Sequence, residues 1–167
     1  LGFNNPPGPP SDDVPYAKLR LAWTFILTQR GVPLIYYGDE IGLPGAADPD
    51  NRRPMRFGSE VNAREQSVLA HVRALGRLRA QHRGLQRGAR TFLHADGDGY
   101  VYARGAGMDL AVVAINRGTT ARAVSVAVPG ALGAPDGTVL RDALSDATVT
   151  VRGGRVDVPF SPRAGSV

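Results

Sequence analysis

The spacing of apolar residues changes near Ala89, and this change constrains the fold more than any other feature of the sequence. Before that point apolar residues recur at helical intervals. After it they alternate with polar residues, as is typical of half-buried β-strands. The 167 residues suit one domain or two small ones. We predict an α/β part at residues 1–84 and an antiparallel β-sandwich domain at 85–167, with the boundary near residues 84–90.

Two helices are predicted in the first part, after a proline-rich loop at residues 1–12. The first helix should begin with Asp13 as its cap, bury one face that includes Trp23, and end at Gly31. The second should begin at Asn62, which forms a capping-box pattern with the glutamate three residues later. We expect Gly84 to close that second helix.

A short apolar run, VPLIYY at residues 32–37, lies between the two helices. It does not alternate, so it resembles a strand covered on both faces, as in parallel sheets. The segment that follows, residues 38–55, is rich in charge, proline and glycine. Because α/β folds keep their sites at the carboxyl ends of such strands, this charged loop is the candidate functional site.

Seven short segments with period-two patterning follow Ala89, and turn signals such as Asp98-Gly99 separate them. This number of short strands indicates an antiparallel sandwich or barrel. The repeated DGDG at residues 96–99 favours a hairpin turn over a calcium loop. The seven segments are TFLHA, YVYAR, DLAVVAIN, RAVSVAV, GTVLRDAL, ATVTV and RVDVPF.

Asp48 and Arg52 lie four residues apart in the charged loop. A carboxylate and a guanidinium at this spacing can pair and still keep hydrogen-bonding capacity for a polar ligand such as a sugar. The sequence physics leaves a second interpretation open, in which the two residues form a loop salt bridge with no ligand.

The segment FILTQRGVPLIYYGDEIGLPGAADPDNRRPM resembles the α-amylase family of glycoside hydrolases. That family carries a helix, then the pattern GxPxIYYGxE, then a loop ending in DPxxR. Here these patterns fall at residues 31–40 and 48–52. The resemblance implies that residues 1–84 are the final αβα piece of a TIM (β/α)8 barrel and that the β-rich tail is the family's C-terminal β domain.

The resemblance also implies roles for residues of the charged loop. Asp48 and Arg52 are expected to bind sugar in the −1 subsite, and the rim of that subsite is expected to include Asp50, Asn51 and Arg53. The resemblance assigns no catalytic residue to this chain. The nucleophile and the acid/base of a retaining glycosidase lie on earlier barrel strands of the family, which this sequence does not contain.

Three further residues near the site receive interpretations of their own. We expect Tyr36 and Tyr37 to serve barrel packing rather than sugar stacking. Glu40 is expected to act as a capping or loop-ordering carboxylate rather than to take part in catalysis.

The resemblance implies that the chain is the C-terminal part of an enzyme acting on α-glucosidic bonds in starch-type glucans, and that alone it is inactive. Its expected partners are an α-glucan or maltooligosaccharide and the remainder of the barrel. We expect no cofactor and no metal in this chain, since the family's usual calcium ligands lie in the missing part. The alternative function is a non-catalytic β-sandwich that binds carbohydrate or another protein.

Several other function classes are disfavoured by the sequence. The net charge of +5 comes from scattered arginines without a nucleic-acid-binding motif, so nucleic acid is not an expected partner. No apolar stretch is long enough to span a bilayer, so we expect no membrane association. The absence of cysteine excludes disulfides but leaves the compartment open. Leu1 in place of a methionine suggests a chain cut from something longer.

Overall fold

The computed structural model describes residues 7–167, which form helices first and antiparallel strands afterwards. The helices of this part are α1 (Val14–Thr28), α2 (Ala63–Gln81) and α3 (Arg83–Arg87). The strands are β1 (Arg90–Ala95), β2 (Gly99–Arg104), β3 (Ala111–Asn116), β4 (Arg122–Ala127), β5 (Val139–Arg141), β6 (Thr148–Thr150), β7 (Arg155–Phe160) and β8 (Ala164–Ser166). We call residues 14–87 the helical region and residues 90–166 the β region.

Helices α1 and α2 pack together through their apolar faces. Trp23 is 3% exposed, as its place on the apolar stripe predicts. The capping box at the start of α2 is confirmed, because the Asn62 side chain accepts from the amides of Arg64 and Glu65 while the Glu65 carboxylate accepts from Asn62 N. The shared core consists of Tyr16, Trp23, Leu27, Val68, Val72 and Leu75.

The helix ends differ from the sequence prediction at three places. Asp13 is the N-cap residue of α1 as predicted, but its side chain makes no capping hydrogen bond, and the carboxylate of Asp12 accepts from Val14 N at 2.8 Å instead. Helix α1 ends at Thr28 rather than at Gly31. Helix α2 ends at Gln81, and Gly84 lies inside α3, where an added Cβ would come within 1.9 Å of a backbone carbonyl oxygen of the β region. Close packing between the regions, and not helix termination, explains this glycine.

All seven segments predicted as strands contain a strand. The first sheet has the order β1-β2-β3-β8, while β4 pairs with β7 and β5 pairs with β6, each pair antiparallel. The Asp96–Gly99 segment forms the predicted hairpin turn, with the amides of Asp98 and Gly99 donating to Asp96. The sequence AGS of β8 was not predicted as a strand, because three small residues carry no alternation.

The first sheet is covered on both faces. Val101 and Ala103 of β2 face β4 and β7 and share a core with Val126 and Val156. On the opposite face, residues of β2 and β3 pack against Leu85 of α3 in a second cluster. The β region therefore packs directly on the helical region, and the candidate site lies beyond the end of α1.

The sequence predicts a strand at residues 32–37, but within residues 7–167 they do not form one. These residues belong to no helix or strand, and Val32 is 96% exposed and Leu34 is 84% exposed. A strand is stabilised by hydrogen bonds to a neighbouring strand. The strands described in residues 7–167 pair only among themselves, so the run has no neighbour to pair with.

Two further expectations concern the ends and the surroundings of the chain. Of the loop predicted at residues 1–12, residues 1–6 lie outside the described residues, and residues 7–12 form no helix or strand. Among the helices of residues 7–167, none has both the length and the apolar character needed to cross a bilayer. The boundary between residues 84 and 85 falls inside α3 and stays a prediction.

Candidate functional site

The charged loop begins with a tight turn that is fixed to α1. Gly38 has a φ of +92°, and its amide donates to the Glu40 carboxylate at 2.8 Å. The loop-ordering role predicted for Glu40 agrees with this contact. Trp23 Nε1 donates to the carbonyl oxygen of Asp39 at 3.2 Å, and Ile41 is 1% exposed. The start of the loop is thereby held against the helical region.

Asp48 and Arg52 form the pair that their spacing allows. Arg52 Nη2 lies 2.6 Å from Asp48 Oδ1, and the two side chains are 60% and 69% exposed respectively. An ion pair this exposed contributes little to stability. A guanidinium has five donors and a carboxylate about four acceptor sites, so most of the pair's hydrogen-bonding capacity is available to a ligand.

Asp50 and Arg53 form a second pair in a different environment. Arg53 donates from Nε and Nη2 to both Asp50 carboxylate oxygens at 2.7 Å, and the side chains are only 23% and 13% exposed, Arg53 first. Ala46 N also donates to Asp50, and Arg53 Nη1 donates to the carbonyl oxygen of Pro7. The Arg53 hydrogen bond is the main reason that the pKa of Asp50 lies below its usual value. This pair orders the loop.

Tyr36 and Tyr37 lie at the end of the apolar run with their ring centroids 4.7 Å apart. They are 49% and 42% exposed, so within this chain they do not pack in a core. Partial burial raises the pKa of Asp39 beside them, and the neighbouring Glu40 charge adds to that effect. These tyrosines and Asp39 line a small open cavity of about 270 Å³ together with Leu43, Pro44, Gly45 and Asn51.

Asn51 is thus the one predicted rim residue on this cavity, while Asp48 and Arg52 do not line it. A larger cavity of about 730 Å³ lies between the helices and the β region, and no residue of the charged loop lines it. Sequence reasoning missed Asp39, because no spacing signal distinguishes it from any other loop acid. The loop groups can donate and accept hydrogen bonds to a polar ligand, but they do not resemble an enclosed catalytic centre.

A metal site is not built by the part of the chain that the structure describes. No three His, Cys, Asp or Glu side chains among residues 7–167 come together in a way that could hold an ion. Asp96, the first acid of the DGDG turn, is instead occupied by Arg122, His94 and two backbone amides, which does not fit calcium. These contacts lower the pKa of Asp96 strongly, with the Arg122 hydrogen bond as the largest cause.

Comparison with known proteins gives matches that cover most of this chain. No protein-family model matches it. A cyclomaltodextrinase from Geobacillus thermopakistaniensis is 39% identical over 113 residues, and an amylopullulanase from Thermoanaerobacter thermohydrosulfuricus is 32% identical over 166 residues, which is 93% of this chain. Among solved structures, an Anoxybacillus α-amylase covers 91% of the chain with a TM-score of 0.79 and 30% identity.

A second α-amylase structure, from Geobacillus thermoleovorans and complexed with acarbose, also covers 91% of the chain, with a TM-score of 0.80 and 29% identity. The chain spans only a small share of these relatives. It covers 19% of the cyclomaltodextrinase, 11% of the amylopullulanase and 32% of each of the two α-amylase structures.

Proposed function

Because the chain is similar over most of its length to enzymes of the α-amylase family, we propose that it supplies part of the −1 sugar subsite of an enzyme acting on α-glucosidic bonds in starch-type glucans. The observation that carries this proposal is the exposed pair of Asp48 and Arg52, 2.6 Å apart. Its position in the charged loop that follows the apolar run is the position that the family resemblance implies.

The apolar run supports the architectural half of the proposal. An exposed segment with unpaired backbone groups and large apolar side chains is a liability in a finished protein. In our proposal residues 32–37 are the last strand of a TIM (β/α)8 barrel, and residues 1–84 are its closing αβα piece. The rest of the barrel is then the partner that pairs with the run on both sides, and residues 85–167 are the C-terminal β-sandwich domain.

The chemistry that we propose for this chain is binding and orientation. Arg52 donates to sugar hydroxyls and Asp48 accepts from them, so that the ring is held in one orientation. The nucleophile and the acid/base of a retaining mechanism, about 5 to 5.5 Å apart, belong to the rest of the enzyme. Asp50, Asn51 and Arg53 shape the rim, and Asp50 and Arg53 do so by ordering the loop.

The test is kinetic and uses the enzyme that contains this chain. We expect Arg52→Ala to lower kcat/KM on maltooligosaccharides by about a hundredfold, because hydrogen bonds to the sugar are lost at the reacting ring. Arg52→Lys should recover only part of the loss, since an ammonium lacks the planar fork. Arg64→Ala is the matched control, because Arg64 is an exposed arginine on α2.

Equal activity of Arg52→Ala and Arg64→Ala would remove the subsite assignment. Asp48→Asn offers an independent check, since it keeps the shape of the side chain and removes only its charge. A loss with both Arg52→Ala and Asp48→Asn, but not with Arg64→Ala, supports the proposal.

A non-catalytic carbohydrate-binding module is the second candidate function, and one observation favours it. From the sequence, Phe92 on β1 could equally be a core residue. In the structure it is 62% exposed, and its ring centroid lies 6.3 Å from that of Tyr100. Exposed aromatic rings can stack on sugars. Calorimetric titration of this chain with maltoheptaose separates the two candidates, since only the module predicts binding that Phe92→Ala abolishes and Arg52→Ala does not.

A further inference from the structure

The carboxyl end of α1 receives side chains from β2. Arg104 is fully buried and donates from Nη1 to the carbonyl oxygen of Thr28. Its Nε and Nη2 also donate to the carbonyl oxygen of Gly88, at 3.2 and 3.0 Å. The Tyr102 hydroxyl lies 2.5 Å from Thr28 Oγ1 and accepts from Gln29 Nε2 at 2.9 Å. One strand of the β region thus bonds to both residues at the helix end.

Arg79 of α2 reaches the same place from the other side. Its Nη1 donates to the carbonyl oxygens of Leu27, Gln29 and Leu85, each at 2.9 Å, and its Nη2 donates to that of Gly31 at 2.5 Å. The last carbonyls of a helix lack donors from within the helix. Here the carbonyls of Leu27 and Thr28, the last two of α1, accept from the guanidinium groups of Arg79 and Arg104.

The electrostatics of this arrangement are unusual. Neither Arg79 nor Arg104 forms a salt bridge with a carboxylate among residues 7–167. Burial, and secondarily the charge of Arg79, lowers the pKa of Arg104. A buried cation is costly unless it is hydrogen-bonded. The compensation comes from backbone carbonyls and from the partial negative charge at the end of α1. The two arginines therefore stay favourably solvated only while that backbone keeps its position.

We propose that Tyr102, Arg104 and Arg79 form a clamp that fixes where the chain leaves α1 and thereby positions the apolar run and the charged loop. The run begins at residue 32, directly after the clamped residues 27–29 and Gly31, and it ends at the turn that Trp23 holds through Asp39. Its own residues have no strand partner here, so the two ends decide its path.

General packing between the two regions would not require this convergence. Contacts that only joined the regions could bond anywhere on α1, but these side chains bond to four residues at and just beyond its end, namely residues 27–29 and Gly31. The β region, which carries no residue of the proposed subsite, then acts as a positioning element for it. Only the positioning of the subsite rests on the proposed function. The clamp itself concerns the conformation of this chain, whatever its function.

Hydrogen exchange of this chain tests the clamp without any assay of activity. We expect Tyr102→Phe and Arg79→Met to raise exchange at least tenfold at the hydrogen-bonded amides of residues 29–43, while peptides from β4 and β7 are unchanged. Those amides belong to Gln29, Gly38, Asp39, Ile41, Gly42 and Leu43. Arg77→Met is the matched control on the exposed side of α2. Tyr102→Phe removes a single hydroxyl, so it retains the fold even if Arg104→Met does not. Unchanged exchange at residues 29–43, or an equal rise everywhere, would overturn the proposal.

Kinetics of the enzyme that contains this chain test the positioning step. A misplacement of about 1 Å can cost about a hundredfold in rate. We therefore expect Arg79→Met to lower kcat at least tenfold with little change in KM, and Arg79→Lys to restore part of it. If exchange rises but kcat does not fall while Arg52→Ala is inactive, the clamp exists and positioning is refuted. If Arg52→Ala is fully active, the proposed subsite itself fails.

Discussion

Two runs of six residues in this chain each contain five hydrophobic residues, yet they lie in opposite environments. Strand β3, AVVAIN, lies between β2 and β8, and its Val113 is fully buried. The run VPLIYY at residues 32–37 has the same number of hydrophobic residues, yet Leu34 is 84% exposed and the run pairs with no strand described in residues 7–167. Hydrophobicity alone therefore does not decide which run becomes a strand.

A third segment, strand β8, adds the most to this comparison. Strand β8 has the sequence AGS, which carries almost no strand propensity, and it is nevertheless paired with β3 from Ala164 to Ser166. Gly165 allows it to approach α1, because an added Cβ there would lie 2.6 Å from the Thr24 side chain. An available edge and close packing make a strand of a weak sequence, whereas a strong sequence without a neighbour remains irregular.

The largest expected effect is a difference in stability between a charged substitution in β3 and one in the apolar run. We expect Val113→Asp to lower the free energy of unfolding by at least about 3 kcal/mol, because it buries an unpaired carboxylate in the sheet. Leu34→Asp should change it by no more than about 0.5 kcal/mol, as exposed substitutions do. Urea unfolding followed by the fluorescence of Trp23, which is buried against α2, measures both. Comparable losses for the two variants would show that the run is packed in solution.

The same comparison shows what could be predicted from the sequence. The strands β1–β7, the α2 capping box and the buried Trp23 follow from local patterns, because periodicity and capping chemistry are local. The run at residues 32–37 and β8 were mispredicted, since their states depend on neighbours elsewhere in the chain. The helix ends differ for the same reason, as Gly84 serves packing rather than termination.

The candidate site could be predicted only in part. The pairing of Asp48 with Arg52 follows from their spacing, and the loop-ordering contact of Glu40 follows from its place in the turn. The sequence does not predict that the pair of Asp48 and Arg52 is exposed while the pair of Asp50 and Arg53 is largely buried. That difference depends on how the loop folds over itself. The burial of Arg104 likewise could not be predicted, because in the sequence it is one of many arginines and lies at the end of a predicted strand.

A second prediction concerns association between chains. An exposed apolar segment with unpaired backbone groups tends to pair with another copy. We expect this chain to associate at micromolar concentrations, and we expect the double substitution Val32→Lys and Leu34→Lys to weaken that association at least tenfold, or about 1.4 kcal/mol. Sedimentation velocity over a concentration series measures the change. The matched control replaces Met108, which is also fully exposed but lies in the β region, with lysine.

A monomer for the unsubstituted chain at all concentrations would contradict this prediction. Equal weakening by the Met108 control would show that added charge, and not the run, is responsible. Either result would break the contrast between the two runs, because the apolar run would then behave like any other part of the surface.

The smallest expected effect is on the pH dependence of stability. The packed contact between α1 and α2 contains a group that titrates between pH 5 and 8, whereas the apolar run contains none. His71 on α2 lies 2.9 Å from Thr24 Oγ1 of α1. Thr24 Oγ1 donates to the carbonyl oxygen of Arg20, so it accepts from the His71 ring. Desolvation by burial is the main cause that lowers the pKa of His71 below 6.5, and the charge of Arg20 adds to it.

The direction of the pH effect follows from this lowered pKa. The folded chain binds fewer protons at His71 than the unfolded chain, so the contribution of His71 is present above pH 6.5 and is lost as the pH falls through the folded pKa. We expect His71→Gln, which keeps a donor for Thr24, to reduce the loss in unfolding free energy between pH 8 and pH 5. His82 and His94 are common to both chains and cancel in the difference. Identical pH profiles would mean that the α1–α2 contact near His71 is as open to water as residues 32–37.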